Sequence, residues 1–230
     1  MECLKFGLED QNFDIRISGS NPNRAGELAR AQIEAGCSGL ISFGVAGAID
    51  PSLNSGDLIV ADQILTLEGG VLQTSNQWRS QFVKLAVGFE NVFTGPMFGI
   101  DFILKKASQK KEIFSRTSAL AVDMESHQIG RVANDNCVPF LVVRAILDSA
   151  IMDIPESAIN IIDYNGKPKL LSILLKLIKR PEDFSKLFTL SRSHSLALAS
   201  LQRASFIASL ALRSKELITL FFTFLSQCFY

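Results

Sequence analysis

The sequence predicts an α/β fold, a sheet with helices on both faces, and three observations carry that prediction. Short apolar runs at Leu40–Phe43, Leu58–Ile64, Val92–Phe93 and Val138–Leu147 alternate with helical patterns, as strands covered by helices do. Val138–Leu147 is apolar nearly throughout, the mark of a strand buried on both faces, and its one charge is Arg144. The run then meets a carboxylate, Asp148, and ligands of open α/β sheets sit beyond the carboxyl ends of strands.

The elements follow in order. Asp14–Ile17 is a weak strand, followed by the turn-rich Ser18–Asn23. Ala25, Leu28, Ala29 and Ile33 make the apolar face of a helix that Gly36 stops. Leu40–Phe43 is a short buried strand that breaks into Gly44-Val45-Ala46-Gly47-Ala48, where small residues let backbone N–H groups approach a ligand. By itself this glycine pattern is weak, lacking both GxGxxG and the P-loop lysine. Asp50–Asp57 is a turn cluster and Leu58–Ile64 another strand. Leu67–Gln81 reads as a surface segment in which Trp78 has no evident role. A strand near Val92-Phe93 runs into a turn over Thr94–Phe102, and Lys105–Phe114 is a polar helix. Asp123 and Glu125 stand just ahead of a further helical pattern.

After Ile151 the character changes. Pro155, Gly166 and Pro168 punctuate the chain, Leu170–Arg180 is basic and apolar, and helical stretches are expected over Glu182–Leu190, Ser195–Ala211 and Ser214–Cys228. Two regions result, a catalytic domain over 1–165 and a helical, basic and apolar C-terminal region over 166–230.

The 230 residues suit one sizeable domain with an appendage, and 47% apolar residues argue against disorder. A formal net charge of zero gives no reason to expect nucleic acid. The charge is uneven, however: ten of the 23 Lys and Arg but three of the 23 Asp and Glu lie from residue 165 onward, an asymmetry that suits a charged surface partner. Cys3, Cys37, Cys137 and Cys228 have no metal spacing, no secretory signal opens the chain and no apolar run reaches membrane-span length. Reduced cytoplasmic thiols and no bound metal are therefore expected.

Three motifs together resemble the nucleoside phosphorylase/nucleosidase superfamily. They are Ser42–Leu53 with Gly56-Asp57, Ala121–Glu125, and Val138–Ser149, in the family's order and covering roughly residues 36–150. Ala121–His127, Gly95–Leu104 and the basic region after Asn165–Leu170 are most similar to the hopanoid-associated branch, whose members release adenine from adenosylhopane. The resemblance implies a three-layer sandwich around a mixed sheet with a helical C-terminal extension, a homo-oligomer, and cleavage of a purine N-glycosidic bond without a cofactor. The alternatives are a methylthioadenosine/S-adenosylhomocysteine nucleosidase and a non-catalytic nucleoside-binding relative.

The same resemblance assigns roles. Asp148 matches the acid that gives a proton or hydrogen bond to N7 of the departing purine, a contribution of about 10²–10⁴-fold; without the resemblance it reads equally as a turn residue. Glu125 matches the carboxylate that accepts from the ribose hydroxyls, bonds that strengthen as the sugar gains oxocarbenium character, and otherwise reads as a first-turn acid favoured by the helix dipole. Met124 would pack on the sugar and Phe102 on the base, although each also suits the core. Gly44, Val45, Ala46 and Gly47 match the segment lining the ribose and nucleophile. Many relatives carry Ser where Val45 stands, so water and inorganic phosphate both remain open as the nucleophile. Arg144 reads as a paired structural arginine or a phosphate ligand, and His127 as a helix residue. Relatives also begin with a strand, a Gly-rich turn and a glutamate; this chain reads as starting just past them, with Glu2 a remnant. Finally, Leu170–Arg180 and the Phe-rich end suggest a basic amphipathic surface for peripheral contact with anionic lipid, where a lipid-linked nucleoside would lie, or else helices packed on the core.

Overall fold

The computed structural model describes residues 13–88, 91–154, 183–212 and 218–223, the side chains of 183–187 and 218–223 excepted. Its strands are β1 (Phe13–Ile17), β2 (Gly39–Ala48), β3 (Leu58–Thr66), β4 (Val71–Gln73), β5 (Val92–Gly99), β6 (Ala121–Asp123), β7 (Phe140–Asp148) and β8 (Ile218–Thr223). Its helices are α1 (Pro22–Glu34), α2 (Asn76–Leu85), α3 (Ala107–Thr117), α4 (Ser126–Asp135) and α5 (Asp183–Ala211). The fold is α/β around a mixed sheet, as expected.

Side-chain alternation along three strands builds a core on each face. Ile41 and Phe43 of β2, Leu58 and Val60 of β3, and Leu141, Val143 and Ala145 of β7 face α2 and α5. Their neighbours Leu40, Ile59, Ala61, Val142 and Ile146 face α1 and α4. Period-two geometry makes this division obligatory once the strands are paired. A smaller cluster of Ile49, Phe98, Ile100, Leu104, Ala119 and Val122 lies beneath α3.

β2 changes partner along its length, and that change shapes the molecule. On one edge it stays parallel to β7 from Leu40 to Gly47, with an irregularity after Ala46; on the other it pairs parallel with β8 from Gly39 to Gly44 and then antiparallel with β6 through Gly47 and Ala48. β7 pairs with β3, β3 with β5, and β5 with β6, so the five strands close on themselves. The residues expected to leave the strand at Gly44 therefore stay in it to Ala48. β5 likewise continues through the expected turn to Gly99. Small residues marked the end of these strands in sequence, but ladder hydrogen bonds on both sides hold them extended.

The segment read as surface, Leu67–Gln81, contains β4 and the start of α2. Ser75 caps α2 by accepting from the Trp78 N–H at 3.3 Å. The Trp78 ring packs on the core face shared with α5 and sits over Gly39, where a Cβ would come within 2.3 Å of it.

At the C-terminal end two expected helices are one. α5 is continuous from Asp183 to Ala211, and Ala197, Leu201, Ala204, Ile207, Ala208 and Leu212 seat it on the sheet. Alanine at three of these positions lets the helix lie close. The helix expected over Ser214–Cys228 is replaced at Ile218–Thr223 by β8. This strand lies between β1 and β2 and is parallel to both, Ile218 standing opposite Phe13 and Gly39. Its residues are β-branched or aromatic save one, and two open strand edges satisfy its backbone from both sides. Leu170–Arg180, the basic stretch considered for lipid contact, lies outside the described residues. Among those described, no helix is long and apolar enough to cross a membrane.

β8 should therefore be needed for the fold. Leu220→Pro removes a ladder donor from a strand paired on both sides, and a chain cut after Leu212 loses the strand altogether. Both are expected to lower the urea midpoint followed by far-ultraviolet circular dichroism, the truncation more. An unchanged midpoint in the truncated chain would show that β1 and β2 do not depend on it.

Candidate active site

The cleft is made where the strands end. β7 finishes with Asp148, which stands opposite Gly47 in the β2 ladder. β6 finishes with Asp123, and Met124 and Glu125 follow at once, Glu125 being the N-cap of α4. Phe102 and Leu104 arrive from the loop after β5, Lys110 from α3 and Leu190 from α5. Val45, Ala46 and Gly47, Phe102, Met124, Glu125 and Asp148 all line this one cleft. Of the residues selected from sequence Gly44 alone is not among its lining; it sits in the ladder opposite Arg144.

Phe102 is 50% exposed, so it is not one more core phenylalanine but an aromatic face presented to the opening. Asp148 and Glu125 are by contrast nearly closed off from solvent. Gly47 has a steric reason to be glycine, because a Cβ there would lie 3.2 Å from both oxygens of Asp148.

Arg144 explains how two carboxylates survive burial side by side. It is 0% exposed. Its Nη2 forms an ion pair with Asp123 Oδ2, lies 3.7 Å from Glu125 Oε2, and donates to Ser42 Oγ at 2.6 Å and to Ser126 Oγ at 3.1 Å. Nη1 donates to the Val45 carbonyl at 3.4 Å. The Ser126 hydroxyl also donates to Asp123 Oδ2, and its backbone N–H donates to the same oxygen at 3.2 Å. Of the two sequence readings of Arg144, the paired structural one is what the geometry bears out. Asp123, given no role from sequence, is its principal partner.

Lys110 is the residue of the cleft that sequence reasoning missed. The helix was read as polar, yet Lys110 is 1% exposed and its Nζ lies 2.5 Å from Asp148 Oδ2. The available signal was its spacing: Ile113 and Phe114, three and four residues on, pack against the cluster beneath α3, so Lys110 falls on the buried stripe. Burial pushes the Asp148 carboxyl above the ordinary carboxylate range, while the Lys110 ammonium pulls it down; burial is the larger effect.

The remaining expectations place simply. His127 Nε2 lies 2.9 Å from Asp101 Oδ1, which fits a helix residue with a polar partner. Among the described residues no group of His, Cys, Asp or Glu has the arrangement of a metal site.

The Phosphorylase superfamily profile matches residues 19–161, more than half of the chain. Curated relatives include the 5'-methylthioadenosine/S-adenosylhomocysteine nucleosidase of Buchnera aphidicola subsp. Schizaphis graminum, 30% identical over an alignment that covers 47% of this chain and 54% of that protein. The Staphylococcus aureus nucleosidase of the same name is 26% identical over an alignment that covers 48% of this chain and 57% of the relative. The chain thus spans little more than half the length of the curated relatives it matches. Similar solved structures include a methylthioadenosine/S-adenosylhomocysteine nucleosidase from Campylobacter jejuni, with a TM-score of 0.62, 17% identity, and coverage of 85% of this chain and 78% of that one. A protein from Weissella paramesenteroides described as a methylthioadenosine nucleosidase gives a TM-score of 0.61 at 20% identity, with 84% and 77% covered. These likenesses establish the fold.

Replacing Arg144 by Met would leave Asp123 and Glu125 buried beside each other without their cation. A loss on the order of 3–5 kcal/mol is expected, measurable by denaturant unfolding. A variant as stable as the parent would show that the guanidinium does not hold the two acids in place.

Proposed function

Because this chain belongs to the phosphorylase superfamily, we propose that it cleaves the N-glycosidic bond of a purine nucleoside and releases adenine, with Asp148 as the acid and Glu125 as the ribose anchor. The observation that carries this reading is that both carboxylates, buried, line one cleft together with the exposed Phe102 ring. Fission of the C1′–N9 bond sends its electron pair into the base. Asp148 gives its proton to N7, and the base departs neutral. Glu125 accepts from the ribose 2′ and 3′ hydroxyls and offsets the positive charge growing on the ring. Phe102 stacks on the base, and Met124 packs on the sugar.

Water is the nucleophile in this reading. It attacks C1′, its proton passes to solvent as the oxocarbenium collapses, and the Asp148 carboxylate takes a proton back from solvent. Two features support water over phosphate: Val45 has no hydroxyl to hold an anion, and Arg144 is committed to Asp123. Among the described residues lining the cleft the cation is Lys110, already bound to Asp148.

The substrate in this reading is an adenine nucleoside with an apolar 5′ substituent. The apolar wall of Phe102, Ile103, Leu104, Ile154 and Leu190 supports it. Two substituents fit that class. The names of the curated relatives point to a methylthio group, and the likeness of Ala121–His127 to the hopanoid-associated branch points to a hopane.

Adenine release from methylthioadenosine and from adenosylhopane, each with and without phosphate, tests the assignment. Release from one of them without phosphate is expected, and Asp148→Asn should lower kcat by at least about 10²-fold. Phosphate dependence would reverse the choice of nucleophile, and an undiminished Asp148→Asn variant would remove Asp148 as the acid. The pH profile has a definite sign. The acid works protonated, and burial raises its pKa, so activity should persist above the usual aspartate value of about 3.9 and fall on the alkaline side. A profile in which activity disappears with falling pH across that same range would contradict a protonated Asp148.

A further inference from the structure

The ammonium of Lys110 meets three acceptors: Asp148 Oδ2 at 2.5 Å, the Ser149 carbonyl at 2.8 Å and the Met152 carbonyl at 3.0 Å. A lysine has three N–H donors, so this buried cation is fully matched. Its two carbonyl partners belong to the turn that follows β7. The same segment is fastened again at the start of α3. Asp153 Oδ1 accepts from the Ala107 N–H at 2.9 Å, Lys106 Nζ lies 3.0 Å from Asp153 Oδ2, and the Ile154 N–H donates to the Lys105 carbonyl at 2.9 Å. Residues 148–154 and 105–110 therefore form one interlocked wall of the cleft.

We propose that Lys110 is a positioning residue for Asp148: anchored on the Ser149 and Met152 carbonyls, its ammonium holds Oδ2, fixes the rotation of the carboxyl, and presents Oδ1 to the leaving purine. The proposal rests on the reading of Asp148 as the acid. Gly47 completes the seat from the other side, since its missing side chain leaves the carboxyl room. An ion pair this close also sets when the acid gives up its proton. An opposite charge within hydrogen-bonding distance favours the carboxylate, and removing it favours the acid.

The other charges around Asp148 leave Lys110 as its direct partner. Asp123 and Glu125 reach the cleft from the junction of β6 and α4, and both face Arg144. Lys106 and Asp153 pair with each other at the outer end of the wall. His127 is turned to Asp101. β2 contributes Gly47 and α5 contributes Leu190, neither of them charged.

The test uses the full chain with Lys110→Met, Lys110→Gln and Lys110→Arg; the Gln variant serves if Met does not fold. The Asp148 carboxyl is titrated by ¹³C NMR, its signal assigned with Asp148→Asn, and adenine release is measured across pH. Loss of the cation is expected to move the Asp148 titration up by about 1–3 units and to carry the alkaline limb of activity with it. kcat should fall by roughly 10²-fold from misplacement of the acid, with KM little changed, and Arg should restore the lower titration. An Asp148 titration unmoved in the Gln variant overturns the proposal, as does a fall in kcat with the alkaline limb unmoved. If wild-type protein releases adenine from no nucleoside while the titration shifts as expected, the functional reading fails, and with it the catalytic part of this inference, but the pairing stands.

Discussion

A single guanidinium, buried in the middle of β7, is the constraint on which the site depends. Arg144 stands in a strand whose every residue is buried, where an unmatched charge would cost several kcal/mol. It is matched by Asp123, with Glu125 near by and hydroxyls from Ser42 and Ser126 accepting from the same Nη2. These partners come from β2, β6 and α4, so satisfying the charge fixes three elements against a fourth. The proposed ribose anchor is thereby oriented from behind, by a residue that does not itself line the cleft.

The second determinant is topological. β2 keeps β7 on one edge to Gly47 while its other edge passes from β8 to β6, which draws five strands into a closed circuit. Chain ends from β2, β6 and β7 thus meet at one place, and Gly47, Asp123 and Asp148 are brought together although distant in sequence. α3 and the segment after β7 supply the remaining wall through Lys110 and Asp153. α5 covers the opposite core face and extends to the cleft with Leu190, so the C-terminal helix is integral to the sheet's packing.

Much of this was legible in the residues, and the gaps have physical causes. β7, its terminal carboxylate and the acidic pair ahead of α4 announce themselves through unbroken apolarity and through charges placed at element ends. Trp78 does not, because its partner is the bare backbone at Gly39, a contact with no local signature. Lys110 was hidden for a similar reason: a lysine on a short polar helix is ordinarily solvated, and its acceptors lie some forty residues later. Ile218–Thr223 carries no local signal for strand over helix, because so short a run, four apolar residues and two threonines, satisfies either periodicity. What decided it was the pair of open edges on β1 and β2.

By itself, then, the sequence determined the alternation of elements and the two-sided burial of β7, and its motifs, by their resemblance to a family, singled out the proposed acid and ribose anchor. The first two properties are written in periodicity and residue type, which act locally. The tertiary structure decided which charges neutralise which, where β2 changes partner, and what occupies the place beside β1. Such choices depend on hydrogen bonds and ion pairs between residues tens to hundreds of positions apart. Their energies exist only once burial has removed water as the competing partner.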